Sequence, residues 1–326
     1  MKNSLKINSM KNYLKIVAVF LYSISIIVSC SKDDNEDGNM EAESYDTTFN
    51  ITDAPIDNAN VEAVFVTVSS VKVDGKSLEG FNKTTFNLAA LVNGRTETLG
   101  NLKLEAGSYS NIELELDYVT DATGNSPGCY VEMADGQKDQ LEASARTISI
   151  NDTFEVFASN TNKIIIDFDL RKTIKEEENG LASNFEFVST TELSAGIRAV
   201  NEETTGMISG TANDAGNTSD KIVVYAYEKG TFDTEVETQG QGESNVTFAN
   251  AVTSSEVSGL NNSYSLNFLA EGEFELVFVS YNEDEDSFTF NALLEAESTT
   301  LLNLGAINVT SALQINANVT ITGTKS

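Results

Sequence analysis

Asp167 and Asp169 stand two apart in "KIIIDFDLRK", with Arg171 two positions further on. In an extended chain, side chains two residues apart share a face and lie roughly 7 Å apart along it. That separation falls within the range of the paired carboxylates of an inverting glycosidase, where one acid protonates the leaving group and the other activates water. Such pairs face each other across a cleft, and burial raises the pKa of one member. Here Arg171 follows on the same predicted face and favours two ionised carboxylates. The spacing therefore predicts a solvated ladder first, a ligand or cation surface second and a catalytic pair last. Asp53, in "ITDAP", belongs with this set: Asp ahead of Pro accepts backbone N–H groups in a turn, or meets an ion or a partner. Asn282, Asp284 and Asp286 in "NEDEDSF" present oxygen donors at a predicted hairpin tip, a candidate structural Ca2+ site. Asp33, Asn35, Asp37 and Gly38 match the start of a calcium loop, but Ser44 stands where its bidentate Glu belongs.

What is missing narrows the chemistry further. The chain has no His, which excludes the Ser-His-Asp and Cys-His arrangements and the His-rich zinc sites. It has no Trp, which weakens the usual aromatic platform for sugars. Tyr225, Tyr227, Tyr264 and Tyr281 offer a stacking surface in principle, but alternation places most of them as ordinary strand residues. No Gly-rich loop follows a strand and opens a helix. Cys129 has no histidine or lysine pair beside it in sequence to lower its pKa, so it reads as a small buried hydrophobe. No catalytic residue and no further cofactor is assigned. With 20 basic and 50 acidic residues, the net charge of −30 repels nucleic acid and anionic head groups.

The remaining cysteine, Cys30, ends the stretch "IIVSC". Lysines at 2, 6, 11 and 15 precede it with no acid among them, followed by the uncharged run 16–28. That run is shorter than the about 20 residues a membrane-spanning helix needs, and the order of basic and apolar regions is that of a cleaved export signal. Met1 or Met10 can serve as its start. "IVSC" resembles the bacterial lipoprotein signal, departing from its usual pattern at Ile27 and Val28. The resemblance implies a diacylglycerol thioether on Cys30, cleavage before it and acylation of the new amine. Each buried CH2 then contributes about 0.8 kcal/mol, and more than one chain gives a stable membrane anchor. Ser31, Lys32, Asp33 and Asp34 resemble the tag with which certain Gram-negative bacteria send lipoproteins to the outer face of the outer membrane. Residues 1–29 hold four lysines and no acid, so the remaining 16 basic and 50 acidic residues carry −34. Residues 30–47 read as an acidic tether. Within it, Asp46-Thr47-Thr48 resembles a short O-glycosylation motif of the same bacteria.

From Phe49 onward the dominant period is two. "NIELELDY" alternates Ile112, Leu114 and Leu116 with acids. Ile164, Ile166, Phe168 and Leu170 share one face, opposite Ile165, Asp167, Asp169 and Arg171. Val64, Val66 and Val68 slip phase to Val71 and Val73, which predicts a bulge at Ser69-Ser70. "RKTIKEEENG" predicts a helical turn or a loop. A second block of strands begins near Thr205, with "AEGEF" as a tight hairpin using Gly272 at positive φ, and 230–250 as a long surface loop. The fold class is all-β: two antiparallel β-sandwich domains in tandem, 48–201 and 202–326, behind a signal peptide at 1–29 and the tether.

Pieces of the first domain resemble the domain of unknown function 4382 family: "ITDAP", "VFVTVSSVKVDG", "FNLAALVNG", "LGNLKLEAGSYSNIELELD", "IIIDFDLRKTI" and "AGIRAVN". The resemblance implies a bacterial envelope β-domain without an assigned activity. "GMISGTAND" and "SYSLNFLAEGEFELVFVSY" resemble the transthyretin-like or carboxypeptidase-regulatory-like, Ig-like sandwiches, which implies a spacer or protein-contact module. The expected whole is a surface-exposed outer-membrane lipoprotein, membrane-bound through its lipid, that binds or adheres without catalysis to a glycan or an envelope protein. An envelope assembly subunit pairing through edge strands is the alternative, with a carboxylate-dependent extracellular hydrolase behind it.

Overall fold

β-branched and aromatic residues at every second position build strands with one face turned inward, and these strands dominate the structure. The computed structural model describes residues 43–325, apart from 55–60, 160, 180–181, 217–218 and 284–287. The segment expected to carry the export signal and lipidation, Cys30, Ser31, Lys32, Asp33 and Asp34 included, lies outside these residues, as do Asp284 and Asp286.

In the first lobe, one sheet runs in the order Ile197–Asn201, Asn162–Asp169, Ser44–Ala54, Glu97–Glu105. A second sheet is centred on Val61–Val73, flanked by Ile112–Leu116 and Tyr130–Met133. The two sheets enclose a core that includes Phe49, Ile51, Val66, Phe86, Leu114, Ile166 and Phe168. The phase slip in the Val61–Val73 strand is a bulge, since pairing jumps from Val68 with Leu116 to Ser70 with Glu115. Cys129 is fully buried, and burial pushes its thiol up to about 12. The thiol sulfur accepts the Thr67 N–H at 3.3 Å, so it is part of the packing.

The second lobe is one curved nine-stranded sheet. Its path runs Thr253–Glu256, Lys221–Glu228, Gly272–Glu283, Phe288–Ser298, Val319–Thr324, Thr205–Asn213, Ser263–Ala270. It encloses two cores of its own, one including Ile208, Leu266, Phe278 and Ile321, the other Tyr225, Tyr227, Phe248 and Tyr281. Glu43–Ser326 nevertheless form one compact unit.

Several local expectations change. Ser44–Ala54 starts inside the stretch assigned to the tether, and Thr47 is fully buried in it. Thr is a good strand former, and here a ladder partner lies on each side. Not all pairing is antiparallel: Ser44–Ala54 runs parallel to Asn162–Asp169, and Thr205–Asn213 runs parallel to Gln314–Asn316 and Val319–Thr324. "AEGEF" is not a hairpin. Ser263–Ala270 pairs with Thr205–Asn213, while Gly272–Glu283 pairs with Lys221–Glu228, so the chain crosses between sheet regions at Glu271. Gly272 accordingly keeps a φ outside the left-handed region.

"RKTIKEEENG" resolves into the helical turn Leu170–Thr173 followed by the strand Ile174–Asn179, which pairs with Ala182–Phe187. The segment 230–250 is more than a surface loop. Its helical turn Thr234–Glu237 is capped by Asp233, and Glu237 is buried where it accepts the Tyr227 hydroxyl at 2.8 Å. Phe248 closes the segment over the Tyr225 ring, with ring centroids 4.6 Å apart. The two glycines of "GMISG" have a packing cause. A Cβ on Gly206 would lie 2.7 Å from the Thr310 carbonyl oxygen, and one on Gly210 2.3 Å from that of Ala317. Only glycine admits the C-terminal backbone this closely.

Candidate binding site at the seam between the lobes

Parallel register sets Thr52 beside Asp167, Asp53 beside Phe168 and Ala54 beside Asp169. The structure thus brings Asp53, Asp167, Asp169 and Arg171 together, as the sequence grouped them, but not on a surface. Their exposures are 5%, 6%, 8% and 5%. The predicted wet face of Asn162–Asp169 is buried with its acids paired: Arg171 and Lys172, just after the strand, neutralise Asp169, and Arg198 from another strand neutralises Asp167.

Arg198, on Ile197–Asn201 and paired in register with Asp167, holds that carboxylate at 2.6 Å from Nη2 and 2.9 Å from Nε. Its Nη1 crosses to the second lobe and donates to the Phe268 carbonyl at 2.9 Å. Arg171 grips Asp169 bidentately, with Nε 3.0 Å from Oδ1 and Nη2 2.7 Å from Oδ2. Its guanidinium lies 5.1 Å from the Tyr225 ring centroid in the second lobe. Lys172 meets Asp169 at 3.2 Å and donates to the Ala251 carbonyl at 3.3 Å. The helical turn itself starts on Asp169, whose Oδ1 accepts the Arg171 N–H.

Electrostatics follow from this wiring. Burial pushes the Asp169 carboxyl up, but Arg171 and Lys172 outweigh it and hold the group at about 2. Burial raises Asp167 in spite of Arg198. Asp53 is driven well above its ordinary value, first by burial and then by Asp167 and Asp169. Its Oδ1 accepts the Leu170 N–H at 3.2 Å, while its buried Oδ2 has no protein partner among the described residues.

Arg198 was the residue hardest to single out from sequence. Its one signal is a lone cation inside the otherwise apolar "AGIRAV". The other candidates fall elsewhere. Asn282 lies exposed on Gly272–Glu283, opposite Thr289, and its intended companions are outside the described residues. Tyr225, Tyr227, Tyr264 and Tyr281 are all buried at 3% exposure or less and offer no stacking platform.

Above this ionic layer the lobes leave a groove of about 590 Å3. Asn93 of the first lobe meets Ser209, Thr211, Ser263, Asn316 and Asn318 of the second along its walls. Glu256 is its one charged lining residue. The Asn93 amide oxygen accepts the Ser255 hydroxyl at 3.2 Å, which ties the groove's two sides together.

Among solved structures, the chain is similar to the Bacillus anthracis TIE protein at 11% identity, over 85% of this chain and 34% of that one, with a TM-score of 0.18. It therefore spans about a third of that protein's length. It is also similar to BcpA, the major pilin subunit of Bacillus cereus, at 11% identity over 90% and 79% of the two chains, with a TM-score of 0.20. The major pilin protein of Streptococcus pyogenes aligns at 10% identity over 87% and 98%, with a TM-score of 0.17. No curated protein matches the chain. Residues 46–183, which supply Asp53, Asp167, Asp169, Arg171 and Lys172 of the ionic layer, match the family model described as domain of unknown function (DUF4382).

Proposed function

We propose that the chain is a lipid-anchored protein of the outer membrane, facing outward, that works by binding a hydroxyl-rich ligand in the seam groove. A glycan is the ligand class this lining fits. The observation that carries this reading is the groove's chemistry: amide and hydroxyl side chains from both lobes with a single acid, in a chain of 50 acidic residues. Side chains that both donate and accept hydrogen bonds match sugar hydroxyls. Their volume is that of an ordinary ligand site. Bridging contacts at Asn93, Arg198 and Lys172 fix the two walls, so little ordering remains to oppose binding. The same wiring supports binding over hydrolysis, since Asp167 and Asp169 are each engaged by arginine.

The full-length protein applied to glycan and envelope-protein arrays tests this. Asn316 lines the groove with an exposed side chain. Asn316→Ala is expected to weaken glycan retention by about 2- to 10-fold, the value of one or two hydrogen bonds, with an unchanged melting temperature. Retention of wild type and variant alike rejects the groove. Absence of any glycan signal, with a partner subunit co-purifying from cells, favours assembly instead. For the anchor, Cys30→Ser is expected to move the protein from the membrane pellet to the soluble fraction. A variant that stays in the pellet removes the lipid from the account.

A further inference from the structure

Beneath the groove, a cavity of about 10 Å3 sits between the lobes, large enough for one water-sized occupant. Its walls are lined with oxygen: Asp53, Asp167 and Asn93 from the first lobe, Ser254, Ser265 and Asn267 from the second. Two of these residues leave a buried oxygen without a protein partner, Asp53 Oδ2 and Ser254 Oγ, at residue exposures of 5% and 4%. An unpartnered carboxylate oxygen buried in this way is costly unless something supplies it with positive charge or a proton. The cations of the seam are engaged by the other acids: Arg198 pairs with Asp167, and Arg171 and Lys172 pair with Asp169.

We propose that this cavity binds one hard cation of calcium size, with Asp53 as its charged ligand and Ser254 as its ligand from the second lobe. The donor set determines the class. Carboxylate, amide and hydroxyl oxygens suit Ca2+ and leave no thiolate or imidazole for zinc or copper. Among the described residues no three His, Cys, Asp or Glu side chains are grouped to share a metal, and Asp167 is held by Arg198, so amide and hydroxyl oxygens supply the remaining donors. Asn267, in the cavity wall, is one such donor. A Cβ on Gly94 would lie 2.7 Å from its amide oxygen, so the Gly94 turn packs directly on that group and restricts it. A cation here joins the two lobes beneath the groove, and its binding stabilises the whole unit by mass action. The site is independent of what the groove holds.

The test uses full-length protein stripped with a chelator, then titrated separately with CaCl2, MgCl2 and NaCl while unfolding temperature and binding heat are recorded. Calcium is expected to raise the melting temperature saturably, with one ion per chain, and to do so at lower concentration than magnesium or sodium. Asp53→Asn is expected to weaken calcium binding at least tenfold, and Ser254→Ala several-fold. Asp53→Asn in chelator is expected to melt no lower than stripped wild type, because it removes the uncompensated buried charge. That control separates lost binding from lost folding. Absence of any calcium response overturns the proposal. A response that persists undiminished in Asp53→Asn also overturns it, because the ion then sits elsewhere, such as on the acidic segment 282–286 or the acidic surface.

Discussion

Arg171→Ala is expected to lower the unfolding free energy by about 3–5 kcal/mol, the cost of leaving a buried carboxylate without its partner. The Arg171 side chain is 1% exposed and bonds both oxygens of Asp169, so solvent cannot replace it. Lys172 remains as a second cation, at 3.2 Å and more exposed, which keeps the loss from going higher. Urea unfolding measures the change, through a lower midpoint at unchanged slope. The double variant Asp169→Asn/Arg171→Met serves as the control. Removing both charges while keeping their volume is expected to cost far less than the sum of the single changes. A loss below about 1 kcal/mol for Arg171→Ala matches a solvated pair and contradicts the buried seam.

Phe248→Ala is expected to cost about 3–5 kcal/mol, as large-to-small changes do where the site cannot collapse. Phe248 is fully buried, although it belongs to a segment rich in polar residues and glycine. Its ring stacks on Tyr225 at 4.6 Å and meets Phe290 at 5.6 Å, while its N–H donates to the Glu237 carbonyl at 2.7 Å. Losing the ring removes the contact that closes 230–250 over the third core. Hydrogen exchange in 233–251 is therefore expected to rise along with the drop in stability. Phe248→Leu, which keeps most of the volume, is expected to recover over half of the loss. An unchanged melting temperature for the alanine variant excludes the segment from the core.

Strands with one wet face were easy to read from sequence. Ile112–Leu116 buries Ile112, Leu114 and Leu116 and leaves its acids outward, as alternation requires. The bulge at Ser69 was equally legible, because an inserted residue shifts the phase of a valine run that is otherwise regular. Asn162–Asp169 misled because Asp at alternate positions normally marks solvent. Here Asp169 is matched by Arg171 beside it, and Asp167 by Arg198, about 30 residues away in sequence, which no local pattern connects to it. Asp53 and the acids of "DFD" were expected on one ligand or cation surface; they are neighbours in a buried layer, through a parallel register that spans more than a hundred residues. "AEGEF" looked like a hairpin because local turn chemistry is the same whether a strand folds back on its neighbour or crosses to another sheet region. The groove had no sequence signature at all. Its Asn and Ser residues come from three strands and three loops and are individually ordinary as turn and strand residues.

The position of Ser44–Ala54 has a mechanical consequence. This strand does not lie at a sheet edge but between Glu97–Glu105 and Asn162–Asp169, bonded to both. A force drawn along it from residue 43 meets two rows of hydrogen bonds in shear, so the bonds share the load and cannot be peeled off one at a time. Resistance of that kind depends on the rate of forced opening, not on equilibrium stability, and it suits a body that has to hold its shape while pulled from its first strand.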